Sequence, residues 1–270
     1  MEQFICRLLQ PEEFNLVKNF PPEEWHLDLE DLLRYHEGHS YFYPLCAASG
    51  NDLAGTGIAI VLDDTAWLGA IIVKEEFRNM GLGTRITKAL ISYAESKNCR
   101  KIILIASALG YPVYKKIGFI VSGHYLFFHG GNIHTRPELK TIQKLGKPDY
   151  DRILELDHQA TGERREELFI RAFPTGYKYT LNRTAEGFYL PDFGKGLIIA
   201  ENTEAGLNLL RYKLLNHADT VVIPHLNEEA IRLVSGEGYK EYMRSPRMFL
   251  KQDASWQPRM IFSRGAGYCG

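Results

Sequence analysis

No run in this chain is apolar for the length a bilayer crossing needs, so a helical membrane span is not expected. The first residues carry an acid at position 2 and no long apolar core, so they do not read as a secretory leader. Cysteine is sparse: Cys6, Cys46, Cys99 and Cys269 lie far apart with no C-x-x-C, which argues against a disulfide framework and fits a reducing cytoplasm. Neither sign of charge dominates, 32 basic residues facing 33 acidic ones, so the whole chain shows no nucleic-acid footprint. The spacing His36-Glu37-Gly38-His39 is not H-E-x-x-H, and Gly38 would interrupt a helix carrying both ligands. No metal is therefore expected, and these histidines read as surface residues at a helix end.

What remains is a chain of 270 residues, long for one domain and comfortable for two, with the apolar share of a globular protein. It is organised around the stretch from Val73 to Thr87. An apolar run ending in Ile71, Ile72 and Val73 reads as a buried strand. Ile86, Ala89, Leu90 and Tyr93 then recur at helical spacing, predicting a helix over 81–96. Between them lies Arg78-Asn79-Met80-Gly81-Leu82-Gly83. Two glycines let the backbone approach a ligand closely, and the first helical turn offers unpaired N–H groups and the positive end of the dipole. That combination suits an anion, most naturally a pyrophosphate. There is no G-x-x-x-x-G-K-S/T loop, and the third glycine of a dinucleotide fingerprint is replaced by Ile86.

The loop resembles the acyl-CoA loop of the GNAT superfamily of N-acetyltransferases, R/Q-x-x-G-x-G/A, with Arg78, Gly81 and Gly83 at its fixed positions. A second stretch, Tyr111-Pro112-Val113-Tyr114-Lys115-Lys116-Ile117-Gly118-Phe119, is similar to the family's "LYEKLGF" motif. The resemblance places Tyr114 on the tyrosine that commonly protonates the thiolate leaving group of coenzyme A, a role open to a positioned O–H. It also implies that backbone groups of Ile71, Ile72 and Val73 pair with the pantetheine arm. The N–H groups from Arg78 through Asn79, Met80, Gly81, Leu82 and Gly83 to Thr84 would hold the pyrophosphate, and a backbone N–H on the same strand would stabilise the oxyanion. Ser107 occupies the position where many members have an asparagine that touches the cofactor arm. No general base is assigned: Asp63 and Asp64 read as solvated turn residues, and Glu75 and Glu76 as solvent-facing ones.

The first half reads as a strand at 4–9, helices at 12–20 and 23–36, and strands at 41–48, 53–62 and 65–73 around a turn at 49–52. The helix at 81–96 follows, then a strand at 101–106, a helix at 110–117 and a strand at 119–129. This order resembles the GNAT topology. A polar segment with proline and glycine at 136–148 reads as a linker. The second half gives a helix capped by Asp149 or Asp151 that includes Ile153, Leu154 and Leu156, further helices at 166–173, 204–215 and 227–235, and strands at 187–190, 195–200, 220–223 and from 239. It repeats the first. Asn227 precedes Gly238-Tyr239 as Ser107 precedes Gly118-Phe119, which sets Val234 on Tyr114, and no R-x-x-G-x-G precedes the helix at 204. This half resembles the degenerate C-terminal domain of bacterial tandem GNAT proteins, through Asp157, Gly162 and Arg165 and the pair Arg247-Met248. Asp157 and Arg165 are expected to form a structural ion pair.

The expected fold class is α/β (α+β): two tandem GNAT-like domains at 1–137 and 138–270, each a mixed twisted sheet flanked by helices. The resemblance implies a cytoplasmic transferase that moves acetyl from acetyl-CoA to an amine of a small molecule, without a metal, nucleic-acid or membrane partner. A coenzyme A-binding sensor or regulator without transfer activity is the alternative.

Overall fold

The computed structural model describes residues 4–25, 27–50, 52–181, 183–216 and 220–269; Asn51 of the expected turn at 49–52 lies outside them. The architecture is α/β, with two sheets flanked by helices, and the chain divides into two compact units. One is the chain through Ser122 together with Arg247–Asp253 and Cys269; the other is Gly123–Pro246 with Ala254–Tyr268.

The first unit contains β1 (Ile5–Leu8), α1 (Leu29–His36), β2 (Phe42–Ser49), β3 (Asp52–Leu62), β4 (Thr65–Val73), α2 (Leu82–Ser96), β5 (Lys101–Ile105) and α3 (Tyr111–Ile117). Strands β1 to β4 pair antiparallel in chain order, and β4 pairs parallel with β5. The turn before β4 is pinned from across the sheet, because Asp64 accepts from Arg100 at 2.7 Å and Lys101 at 2.9 Å. Ile86 and Leu90 of α2 are fully buried, with Ala89 and Tyr93 packed at the rim of the same cluster. Glycine on β3 permits that packing: a Cβ on Gly57 would lie 2.8 Å from Ile86 and 2.9 Å from Leu90.

Two expected helices are shorter than their patterns. The segment read at 12–20 is a 3-10 turn over Pro11–Leu16. The one read at 23–36 is a short turn at Glu23–Trp25 followed by α1, which starts at Leu29. Asp28 is the reason: its carboxylate accepts from the Asp31 N–H at 3.0 Å, a bond that starts a helix and competes with helical backbone when it lies inside one. His36 is also not a surface residue. It is 2% exposed, with Nδ1 3.2 Å from the Tyr41 hydroxyl.

The second unit takes up the chain in β6 (Ile120–His129), then β7 (Ile142–Lys144), α4 (Tyr150–Thr161), α5 (Glu166–Phe169), β8 (Tyr177–Tyr179), β9 (Gly187–Leu190) and β10 (Leu197–Ala200). There follow α6 (Thr203–Asn216), β11 (Thr220–Pro224), α7 (Glu228–Gly236), β12 (Lys240–Lys251) and β13 (Ile261–Ser263). A five-stranded sheet runs β13-β10-β9-β8-β7, each pair antiparallel. The polar stretch read as a linker thus holds an edge strand, with Ile142 opposite Tyr179. Helix α5 stops at Phe169, before the turn at Phe173–Thr175, where Pro174 removes a backbone donor.

The two halves exchange strands. Arg247–Lys251 of β12 pairs antiparallel with β5, so Arg247 faces Ile105 and Lys251 faces Lys101. Strand β6, which ends the first half, pairs instead with β11, Tyr125 facing Pro224 and His129 facing Thr220. Each half therefore places one of its strands on a strand of the other.

Local bonds follow the internal repeat. The Gly110 N–H donates to Ser107 Oγ at 3.1 Å, as the Ala230 N–H donates to Asn227 Oδ1 at 3.1 Å. The Phe119 N–H donates to the Tyr114 carbonyl at 3.0 Å, as that of Tyr239 does to Val234 at 3.0 Å. Gly118 and Gly238, both at positive φ, end the two helices in the left-handed conformation that glycine favours.

Candidate functional site

Strands β4 and β5 pair only from Thr65 opposite Lys101 to Leu68 opposite Leu104. Beyond that point β4 continues against β3 alone, with Ile72 opposite Thr56 and Val73 opposite Gly55. Ala70 sits in the departure at φ +46, where the register with β3 also shifts. The last residues of β4 thus have one backbone edge that no strand among the described residues occupies.

A cavity of about 450 Å³ lies in the first unit beside that edge. Ile71, Ile72 and Val73 line it, as do Arg78, Asn79, Gly81, Leu82, Gly83 and Thr84 of the loop and first helical turn. Ser107 and Tyr114 form part of the opposite wall. The site residues expected from sequence therefore come together around one space, with one exception: Met80 is 53% exposed and does not line it.

Asn79 at φ +63 and Gly81 at φ +79 turn the backbone left-handed on either side of Met80, the kind of turn that can form an anion-binding concavity. Arg78 Nε donates to the Val73 carbonyl at 3.3 Å and ties the loop to the strand end. Gly81 is the N-cap of α2 and supplies no side-chain cap; the first helical bond runs from the Arg85 N–H to the Gly81 carbonyl. The N–H groups before it have no acceptor within the helix. A Cβ on Gly81 would meet nothing within 4 Å, and one on Gly83 only Val73 at 3.9 Å. Packing within the chain therefore does not require glycine at 83, although glycine in a helix costs about 0.5–1 kcal/mol relative to alanine. The charged residues of the lining are Arg78 and Lys116, both basic.

Tyr114 is buried, and burial pushes its phenol well above the ordinary range, so it holds its proton throughout the neutral range. Gly110 gives the ring its room, since a Cβ there would lie 2.7 Å from the ring and 3.0 Å from the hydroxyl. Ser107 both lines the cavity and opens α3 through its bond from Gly110. The sequence reading missed Gly110 and the apolar wall from Pro22, Trp25, Phe77 and Leu109. Gly110 directly precedes the second motif; Trp25 belongs to no motif and comes close only through folding.

The carboxylates near the site divide. Glu75 is exposed, while Asp64, read as a solvated turn residue, is held below its ordinary range by Lys101 and Arg100 against the opposing effect of burial. No group of three His, Cys, Asp or Glu side chains among the described residues has metal-site geometry, and no described helix is long and apolar enough to cross a membrane. In the second unit Asp157 and Arg165 are both about 1% exposed and joined by two bonds, Arg165 Nε to Asp157 Oδ2 at 3.0 Å and Arg165 Nη2 to Oδ1. Burial pushes the Asp157 carboxyl up against the pull of Arg165.

Residues 3–119 match the model of the acetyltransferase (GNAT) family. The fold is the GNAT acetyltransferase fold. A protein from Pyrococcus horikoshii is 21% identical and superimposes with a TM-score of 0.84, over 100% of this chain and 97% of that one. A GCN5-related N-acetyltransferase from Sphaerobacter thermophilus is 15% identical, with a TM-score of 0.61 over 97% of both chains. One from Anabaena variabilis is 11% identical, with a TM-score of 0.61 over 92% of this chain and 73% of that one. No curated protein matches the chain in sequence.

Proposed function

We propose that the protein is an acyl-CoA-dependent N-acyltransferase that moves acetyl from acetyl-CoA to an amine of a small molecule. One observation carries the reading: an uncapped helix start and a buried, protonated tyrosine line the same cavity. The residues present fit coenzyme A. The cradle at Gly81 and Gly83 has space where side chains would stand, and the charges in the lining are basic.

In this reading the N–H groups of Gly81, Leu82, Gly83 and Thr84, with Arg78, hold the pyrophosphate, and Asn79 and Met80 shape the turn. The edge of β4 at Ile71, Ile72 and Val73 aligns the pantetheine arm, beside Ser107. Its N–H groups also supply donors for the acyl oxygen. The bound cofactor supplies a thioester acyl group. Tyr114 would hold a proton at its hydroxyl for the departing sulfur, and its raised pKa keeps that proton on the oxygen at neutral pH. The second half, with Val234 in the place of Tyr114 and no glycine loop, serves as a degenerate GNAT-like domain.

One observation favours a second reading, a coenzyme A-binding sensor without transfer activity. Among the described residues, the cavity lining contains no carboxylate to take a proton from an amine.

Calorimetric titration with acetyl-CoA, beside the variant Gly81→Glu, tests the site. Wild type is expected to bind, and the variant to lose about 100-fold or more, because its carboxylate repels the pyrophosphate and its bulk fills the cradle. Wild type without binding would refute both readings. Release of free coenzyme A across an amine panel then separates them. Tyr114→Phe is expected to lower kcat by about 10²-fold or more with little change in cofactor affinity. Unchanged kcat would remove Tyr114 from the mechanism.

A further inference from the structure

The strand exchange reaches the cofactor cavity. Strand β5 leads directly to Ser107 and α3, and its outer edge is covered by Arg247–Lys251, which the sequence supplies from the far end of the second half. Alternation along this segment sends Met248 and Leu250 to one face of the sheet. That is the face of Tyr114: Met248, 1% exposed, belongs to the same buried cluster as Tyr114, Phe119 and Leu104, with Leu250 packed against it. A Cβ on Gly118, the residue that ends α3, would lie 3.7 Å from Leu250 Cδ1. The other face is anchored separately. Arg247 donates to Ser122 Oγ at 2.6 Å and to Asp253 Oδ1 at 2.5 Å, and its guanidinium lies 5.8 Å from the ring centroid of Trp67. The segment is thus fixed on one side, and on the other Met248 and Leu250 join the apolar cluster that holds Tyr114, with Leu250 beside the Gly118 that ends α3.

We propose that Met248 and Leu250 are positioning residues for Tyr114. The second half, which has no cofactor loop of its own, contributes to catalysis by donating the strand on which the helix of the general acid rests. The inference builds on the acyltransferase reading of Tyr114. Close packing makes such a cluster effective, since a missing methylene group beneath a side chain lets it move. A small displacement of a catalytic group is costly in rate while costing little in ground-state binding.

The test uses the full chain in four variants: Met248→Ala, Met248→Leu, Leu250→Ala and, as control, Leu45→Ala. Leu45 lies in the same core on β2, outside the cavity lining. Met248→Ala is expected to lower kcat by about tenfold or more while the Kd for acetyl-CoA stays within about threefold. Met248→Leu, of similar volume, is expected to restore most of the rate, and Leu45→Ala to lose melting temperature without losing kcat. Hydrogen exchange over residues 111–119 is expected to quicken in Met248→Ala and not in the control. Leu250→Ala, at a half-buried position, carries the same comparison if Met248→Ala does not fold. Turnover and exchange no more affected than in Leu45→Ala would overturn the proposal. Should wild type prove inactive with every amine, the transfer reading falls, and the exchange data alone then decide whether this strand holds Tyr114.

Discussion

Helices α2 and α6 each follow a strand of their unit's sheet, and they begin in opposite ways. Helix α2 starts at Gly81, with no side chain to accept from its first turn, and that turn faces a cavity. Helix α6 is closed by its own sequence: Asn202 Oδ1 accepts from the Ala205 N–H at 2.9 Å, and Asn202 Nδ2 donates to Glu186 at 2.9 Å. A lysine of its last turn is also tied down, to groups outside the helix. Lys213, fully buried, donates to the carbonyls of Lys195 and Gly196 and to Ser263 Oγ. One fold thus leaves one helix start uncapped beside a cavity and caps the other with its own side chain. The presence of a helix N-terminus teaches little by itself; whether its first donors are already satisfied decides what it can bind.

The largest expected effect that separates the units is on stability alone. Asp157→Ala removes the carboxylate from a buried guanidinium that also lies 5.6 Å from the Phe169 ring centroid and 5.7 Å from that of Phe193. Breaking such a pair from one side costs about 3–5 kcal/mol. The expected outcome in denaturant is an unfolding free energy lowered by that amount, with calorimetric affinity for acetyl-CoA unchanged at temperatures where the chain stays folded. An altered affinity would show that the second unit's pair belongs to the site, and the contrast drawn here would fail.

Lys213 gives a smaller, pH-dependent effect. Burial, with a further push from Lys195, lowers its pKa from the ordinary 10.5 to about 7. Between these values the unfolded chain binds a proton that the folded chain has released, so stability rises with pH across this window and falls as pH drops toward 7. The slope attributable to one such group is at most about 1.4 kcal/mol per pH unit. Unfolding free energies from pH 7 to 9, compared with Lys213→Met, measure it directly. The difference between the two proteins should grow in favour of wild type as pH rises, and parallel curves would show that the lysine stays charged in the fold.

The candidate site is the most legible part in sequence, because each of its two motifs is local. Arg78, Gly81 and Gly83 share one loop and helix start, and Tyr114 stands a few residues from the Gly118 that ends its helix. Spacing alone brings the groups within each motif together. What escaped the sequence is non-local. The alternating apolar residues of β12 fit either strand, so nothing in Met248 or Leu250 says that β5 and not β11 is their neighbour. The burial of His36 depends on Tyr41 and the apolar residues that fold around it, while the edge strand Ile142–Lys144 is three residues long and polar at two of them. Trp25 reaches the cavity by a path that no periodicity records.

The smallest expected effect tests the contrast at its source. Asn202→Ala removes the cap of α6 and leaves the Ala205 N–H, and the Glu186 carboxylate opposite, without that partner. Losing such a cap costs about 1 kcal/mol. The variant opens the α6 start as far as one substitution can, yet it supplies neither the left-handed backbone of Asn79 and Gly81 nor an arginine in the place of Arg78. Calorimetry with acetyl-CoA should therefore find the same number of sites as in wild type, alongside a slightly lower melting temperature. A second binding event would mean that an open helix start is sufficient for the cofactor, and that the glycine loop of the first unit refines a site that the fold provides without it.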